Sequence, residues 1–338
     1  MFSNRNALAT TITAALLVSL AKSQRTVGAW LPIEPNNYPA ITTQLQNVSG
    51  WGGVLDVVQL SGCGWKVDNI TSAMTINQSL FNSSHCQGIL NTLQTQNIAI
   101  HMWVGNVPNQ GANNNDPTTL ISTTLALLKQ YPYVKGIHFD DEKECAPRAT
   151  LSNFTSWIHY LNTYSDALHN KADVHVSVAV QAMFGIEDQP YVHNAPCAKA
   201  PWLYSKTPEV VDLMSTMTVD RFLEMDTYYF TMARYLNALD WYVDNVPVNK
   251  LGVAVANLDV NPSLKDKPDE YLARMYALET SDVNWFNLFD MPIDVEWLEH
   301  AKRWKTKCAG CPKLACYDLS VKCDNNNATA DAKMVRSP

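Results

Sequence analysis

The segment GIHFDDE, Gly136 to Glu142, closes an apolar run with three consecutive acids. In an extended strand alternate residues share a face. Gly136, His138, Asp140 and Glu142 therefore point one way, and Ile137, Phe139 and Asp141 the other. A carboxylate taken out of water is costly unless it is paired or used. The chemistry that wants two of them on one face is general acid catalysis at a glycosidic bond. One carboxyl must stay protonated near neutral pH, and a second carboxylate about 6–7 Å along the strand raises its pKa, because two like charges in a dry site oppose each other. Glu142, at the rim, is the expected proton donor, and Asp140, one step deeper, its partner. His138, Asp140 and Glu142 would also suit a divalent ion. Barrel phosphodiesterases that use such a pair need a His-Arg-Gly-like first strand, which is absent here, so no metal and no cofactor is expected.

The rest of the chain must hold that strand end. Short apolar runs alternate with helix-period segments. Strands are expected at 26–30, 54–60, 98–104, 134–140, 174–180, 221–230, 251–257 and 283–289. Helices are expected near 38–48, in a segment ending near Gln96, and over 118–130, 151–169, 232–246, 268–279 and 292–304, with a looser, proline-containing segment after the fifth strand. The clearest helix places Phe154, Trp157, Ile158, Leu161, Tyr164 and Leu168 at spacings of three and four. Eight strands alternating with eight helices, the strands β-branched as if covered on both faces, predict an α/β fold: a single-domain (β/α)8 TIM barrel over 24–306. A doubly wound sheet would carry a glycine-rich loop after its first strand; AWLPIEPNNYP has no glycine. In a barrel of this kind the C-terminal strand ends carry the chemistry, and Asp140 and Glu142 fall at one.

Both ends of the chain read differently. Residues 1–23 join Arg5 to the apolar run ALATTITAALLVSLA and the small-residue stretch AKS, the pattern of a secretory signal peptide. Residues 307–338 form a cysteine-rich tail with a polar end expected to be disordered. Losing 1–23 takes away Arg5 and Lys22 and leaves 23 basic against 32 acidic residues, a net charge of −9. That disfavours nucleic acid and anionic membranes as partners. Eight cysteines and six Asn-X-Ser/Thr sequons agree with an extracellular chain. The sequons are Asn47, Asn69, Asn77, Asn82, Asn153 and Asn327. The cysteines are expected in disulfides, Cys63 with Cys86 and Cys145 with Cys197, while Cys308, Cys311, Cys316 and Cys323 staple the tail.

GIHFDDE resembles the fourth-strand signature of glycoside hydrolase family 18, the chitinases and their relatives, Asp-x-x-Asp-x-Asp-x-Glu. Gly136, Ile137, Asp140 and Glu142 match a common form of it, while Lys135 and His138 stand where its first two acids would be. The third strand reads HMWVGN and lacks the family's Ser-x-Gly-Gly. The resemblance implies that Glu142 is the general acid and that Asp140 orients the substrate's N-acetyl group, whose carbonyl oxygen attacks the anomeric carbon; such enzymes lie outside the two-carboxylate scheme. EMDTYYF supplies Met225, Asp226 and Tyr228 near the place of a family motif whose tyrosine bonds the acetamido oxygen. The resemblance would make Trp285 the counterpart of the family's eighth-strand tryptophan, which floors the sugar site. His138, Gln181 at the fifth strand's end and Trp103 at the third's complete the expected sugar contacts. The function so implied is a secreted glycosidase acting on N-acetylhexosamine glycans, with a glycan as partner and neither nucleic acid nor membrane. The departures favour, as an alternative, a catalytically silent chitinase-like lectin or matrix protein; an unrelated secreted barrel enzyme is the third reading, since fold alone does not fix function.

Overall fold

Eight strands pair side by side, all parallel, and the last closes on the first. The structure is a computed structural model. It describes residues 25–33, 38–68, 70–105, 107, 116–140, 151–180, 208–224, 239, 242–244, 246–247, 249–256, 283–289, 291–293 and 296–306. Its strands are β1 (Thr26–Pro32), β2 (Val57–Ser61), β3 (Trp65–Val67), β4 (Met74–Ile76), β5 (Ala99–Trp103), β6 (Val134–Asp140), β7 (His175–Val180), β8 (Arg221–Glu224), β9 (Leu251–Ala256) and β10 (Trp285–Phe289). The ring runs β1, β2, β5, β6, β7, β8, β9, β10 and back to β1. The helices are α1 (Tyr38–Gln46), α2 (Gln78–Phe81), α3 (Ser84–Thr95), α4 (Thr118–Gln130), α5 (Leu151–Ala172), α6 (Pro208–Ser215) and α7 (Glu296–Thr306). This is the expected barrel, with its eight strands at the expected places.

Alternation sorts every strand into two faces. Val27, Leu31, Val58, Leu60, Ile100, Met102, Ile137, Phe139, Val176, Val178, Phe286 and Leu288 pack outward into the main core with the helices. Burying each side chain of this size stabilises by about 1.5–3 kcal/mol. Phe139 meets Tyr164 of α5 edge to face at 5.4 Å, and the Tyr164 hydroxyl lies 3.1 Å from Thr124 Oγ1 of α4. The helix over 151–169 therefore docks by the apolar stripe that its spacing announced.

Local chemistry sets the helix ends. Ser83 caps α3 by accepting the Cys86 amide. Asp116 accepts the Thr118 amide at the start of α4. Asn97 and Asp173 follow α3 and α5 in the left-handed region, at φ of 57° and 48°, which short polar side chains tolerate.

One feature differs from the sequence reading. The stretch after β2, expected as a loop, contains an antiparallel hairpin of β3 and β4. Each arm has three residues, too short for a period-two signal to stand out. Its turn is held by Asp68, whose Oδ1 accepts the amides of Ile70 and Thr71 and the Thr71 hydroxyl. The sixth barrel strand is described only over Arg221–Glu224. Residues 1–23, the tail 307–338 and the helices expected over 232–246 and 268–279 lie largely or wholly outside the described residues.

Cys63 and Cys86 form a disulfide, as expected, tying the loop after β2 to α3 across 23 residues of sequence. Cys145, Cys197, Cys308, Cys311, Cys316 and Cys323 lie outside the described residues.

Candidate functional site

Asp140 is the last residue of β6, at the C-terminal end of the fourth barrel strand. Its face is set by the residues below it. Ile137 and Phe139 are outward in the core. Gly136 faces the barrel axis so closely that a Cβ there would lie 2.5 Å from the His101 ring of β5. His138 faces the axis among Trp30, Trp103 and Ser177. Asp140 continues this series two residues on, beside Ala179 of β7, and its amide donates to the Gly105 carbonyl at 3.0 Å. Glu142 lies outside the described residues.

His138 is fully buried and both ring nitrogens are engaged. Trp30 reaches it from β1, three strands around the ring, and its indole N–H donates to Nε2 at 2.8 Å. An indole nitrogen only donates, so Nε2 must hold a lone pair. The proton of the neutral ring then sits on Nδ1 and is donated to Ser177 Oγ at 2.9 Å. Burial first, then repulsion from His101, holds the His138 pKa well below its ordinary value. The ring is neutral in one tautomer, and neither nitrogen has a lone pair left for a metal.

Below this layer the barrel is polar and aromatic. His101 stacks on His175 at 4.8 Å, and His175 on Trp285 at 5.2 Å. The Arg221 guanidinium lies 5.2 Å from the Trp285 ring centre. Asn287 donates to Gln59 at 3.0 Å and accepts from Trp285 Nε1 at 3.3 Å. Gly28 makes room for that network, since a Cβ there would fall 1.9 Å from Asn287 Oδ1. Burial lowers the pKa of His101 to about 3 and that of His175 well below its ordinary value, with His101, Arg221, His169 and His138 adding repulsion at His175. Toward the mouth the lining turns apolar, with Trp30, Ala179, Ala254, Trp103 and Phe289.

The structure therefore brings Asp140, His138 and Trp103 to one end of the ring. Trp103 closes β5 and its ring is 6.5 Å from His138. Trp285 is elsewhere. It is the first residue of β10, paired with Thr26 at the N-terminal end of the ring, and is buried beneath the polar layers. Parallel strands send their first residues to the face opposite the mouth, so the aromatic that β10 offers there is Phe289. Phe289 meets Trp30 edge to face at 5.9 Å. Gln181, Asp226 and Tyr228 lie outside the described residues. Sequence reasoning passed over Trp30 and Ser177, which fix His138. Their signal was available: Trp30 shares a face with Gly28, and Ser177, Gln59 and Asn287 are lone polar residues in the middle of apolar strands.

No protein-family model matches the chain, and no curated protein is similar to it in sequence. Solved structures are similar in fold. Psychrophilic chitinase B from Arthrobacter, as its catalytic domain, superposes with a TM-score of 0.56 at 10% identity, over 84% of this chain and 95% of that one. A chitinase-like agglutinin from Robinia pseudoacacia gives 0.55 at 10% identity, over 83% and 98%. The catalytic domain of a family 18 chitinase from the fern Peteris ryukyuensis gives 0.51 at 12%, over 83% and 99%. The chain has the barrel fold of the family 18 chitinases and chitinase-like agglutinins, and at these identities the likeness is one of fold.

Proposed function

We propose that this protein is a secreted, N-glycosylated glycosidase acting on N-acetylhexosamine-containing glycans at the C-terminal mouth of the barrel. The observation that carries the reading is the position of Asp140, last on its strand and on the inward face, with Glu142 next in the same alternation. In this reading Glu142 gives its proton to the glycosidic oxygen as the bond from C1 to the leaving sugar breaks. The substrate's acetamido oxygen, oriented by Asp140, forms the new bond to C1. Water then attacks C1, giving a proton to Glu142, as the bond from C1 to the acetamido oxygen breaks and restores the acetamide. Asp226, Tyr228 and Gln181 are polar contacts for the sugar. Trp103 and Phe289, both only partly buried, offer flat apolar faces of the kind that sugar rings stack on. The signal-like start, the sequons and the Cys63–Cys86 disulfide support the secretory route.

A second reading, a binding protein without turnover, is favoured by one specific observation. His138 stands where the family signature has its second acid, and it is neutral and held by Trp30 and Ser177. It offers no proton-accepting site beneath Asp140. Assaying the parent and Glu142→Gln on chito-oligosaccharides separates the two. Loss of a general acid lowers turnover by about 10²–10⁴-fold. Equal turnover in both proteins removes Glu142 from catalysis. Glycan binding with no product from either supports the second reading, and no binding at all sinks both.

A further inference from the structure

Three large apolar side chains are exposed among the described residues: Val48 at 67%, Ile70 at 94% and Leu80 at 48%. A lone exposed apolar residue is ordinary. The positions of these three are not. Val48 is the middle residue of the sequon Asn47-Val48-Ser49, and Ile70 that of Asn69-Ile70-Thr71. Leu80 directly follows Asn77-Gln78-Ser79 and precedes Asn82-Ser83-Ser84 by two residues. We propose that glycans on Asn47, Asn77 and Asn82 lie over Val48 and Leu80, so that the sugar is the missing cover of these apolar side chains.

Two local features favour attachment and cover. Asn47, Asn77 and Asn82 are all exposed. In two sequons the hydroxyl two residues on donates to the asparagine carbonyl, Ser49 Oγ to Asn47 Oδ1 at 2.9 Å and Ser79 Oγ to Asn77 Oδ1 at 2.7 Å. The amide nitrogen, where a glycan is joined, stays outside those bonds. Gly50 leaves room beside it, since a Cβ there would sit 2.7 Å from Asn47 Nδ2. The transfer needs an oligosaccharide carried on a lipid diphosphate. The Asn Nδ2–C1 bond forms as the bond from C1 to the diphosphate oxygen breaks; the diphosphate leaves with the electron pair and Nδ2 gives up one proton. The first sugar then lies within a residue or two of the apolar side chain, against which its C–H face can rest, while its hydroxyls meet water. The inference rests on the secretory route proposed above and is independent of whether the mouth cleaves sugar.

The test uses the full chain secreted from eukaryotic cells. Peptide mass spectrometry should find glycan on Asn47, Asn77 and Asn82; unmodified asparagine at all three overturns the proposal. The variant S49A/S79A/S84A removes these sequons while keeping every asparagine, including the Asn77 cap of α2. It should bind more hydrophobic dye and self-associate more than the parent. Adding V48S and L80S should return both to the parent's level. No rise in the first variant, or an equal rise in the second, overturns the covering role. Should the first variant fail to leave the cell, restored secretion on adding the two serines supports the proposal, and continued failure overturns it.

Discussion

His138 shows how one donor can fix the charge of a buried base. The Trp30 indole N–H needs a lone pair on Nε2, so protonating the ring would break that bond in a fully buried site. Trp30→Phe removes the donor and leaves Nε2 buried and unpaired, a cost of about 1–3 kcal/mol. Chemical denaturation of the variant should show that loss, whereas Ser177→Ala leaves the Trp30 bond intact and affects only the Nδ1 side. The inward glycines are as strict. Ala at Gly136 would place a methyl against His101, and Ala at Gly28 one against Asn287. Overpacking of this kind costs about 1–3 kcal/mol. Both variants should melt earlier than the parent, while alanine at Gly105, whose Cβ would meet nothing within 4 Å, should show only the smaller strain of its φ of 80°.

At the scale of elements, the ring is stapled twice by the same device at its N-terminal face. Asp56, just before β2, donates its amide to the Val27 carbonyl and accepts the Val27 amide on Oδ2, both at 2.9 Å. Asp220, just before β8, does the same with Val176, at 2.8 and 2.7 Å. Each carboxylate takes a further partner at 2.7 Å, Lys305 of α7 for Asp56 and His169 of α5 for Asp220. Asp56→Ala and Asp220→Ala each orphan a strand amide and should cost about 1–3 kcal/mol, with Asn, which keeps an acceptor, costing less; urea midpoints decide. Removing the Cys63–Cys86 cross-link should cost about 3 kcal/mol by loop entropy. The eight barrel strands could be read from the sequence because each is an apolar run between turn residues. The stapling aspartates could not, since a lone acid before a strand looks like any loop acid. The hairpin of β3 and β4 was hidden by its three-residue arms. At the mouth, alternation along GIHFDDE put Asp140 on the axis. Trp285 was misjudged in depth, because matching a strand by its aromatic residue says nothing of which end of that strand the aromatic occupies.

For the whole molecule, the barrel interior ties stability to pH through three histidines. His101, His138 and His175 all face the axis, and burial lowers the pKa of each, that of His101 to about 3. Among the described residues, the charged groups on the axis side are Arg221, over Trp285, and Asp140, two residues beyond His138; His169, on the outer side of β7, adds repulsion at His175. His101 Nδ1 and His175 Nδ1 have no hydrogen-bond partner among the described residues that would favour a charged ring. In the unfolded chain each imidazole binds its proton near pH 6.5. Above that pH both states are neutral and the histidines leave stability unchanged. Below it the unfolded chain takes up protons that the folded barrel refuses. Each histidine then removes about 1.4 kcal/mol of stability per pH unit until the folded pKa is reached. His101 alone, with its folded pKa near 3, removes about 3 kcal/mol over the two units below pH 6.5, and His138 and His175 act in the same direction. Urea unfolding followed from pH 8 to pH 4 should therefore show a midpoint that is flat at the upper end and falls steeply below about 6.5. In His101→Gln, where a neutral side chain replaces one of the stacked rings, the fall should be shallower by one histidine's share, whatever the variant's stability at pH 8. A slope unchanged by that substitution would mean that the acid sensitivity arises outside the barrel axis.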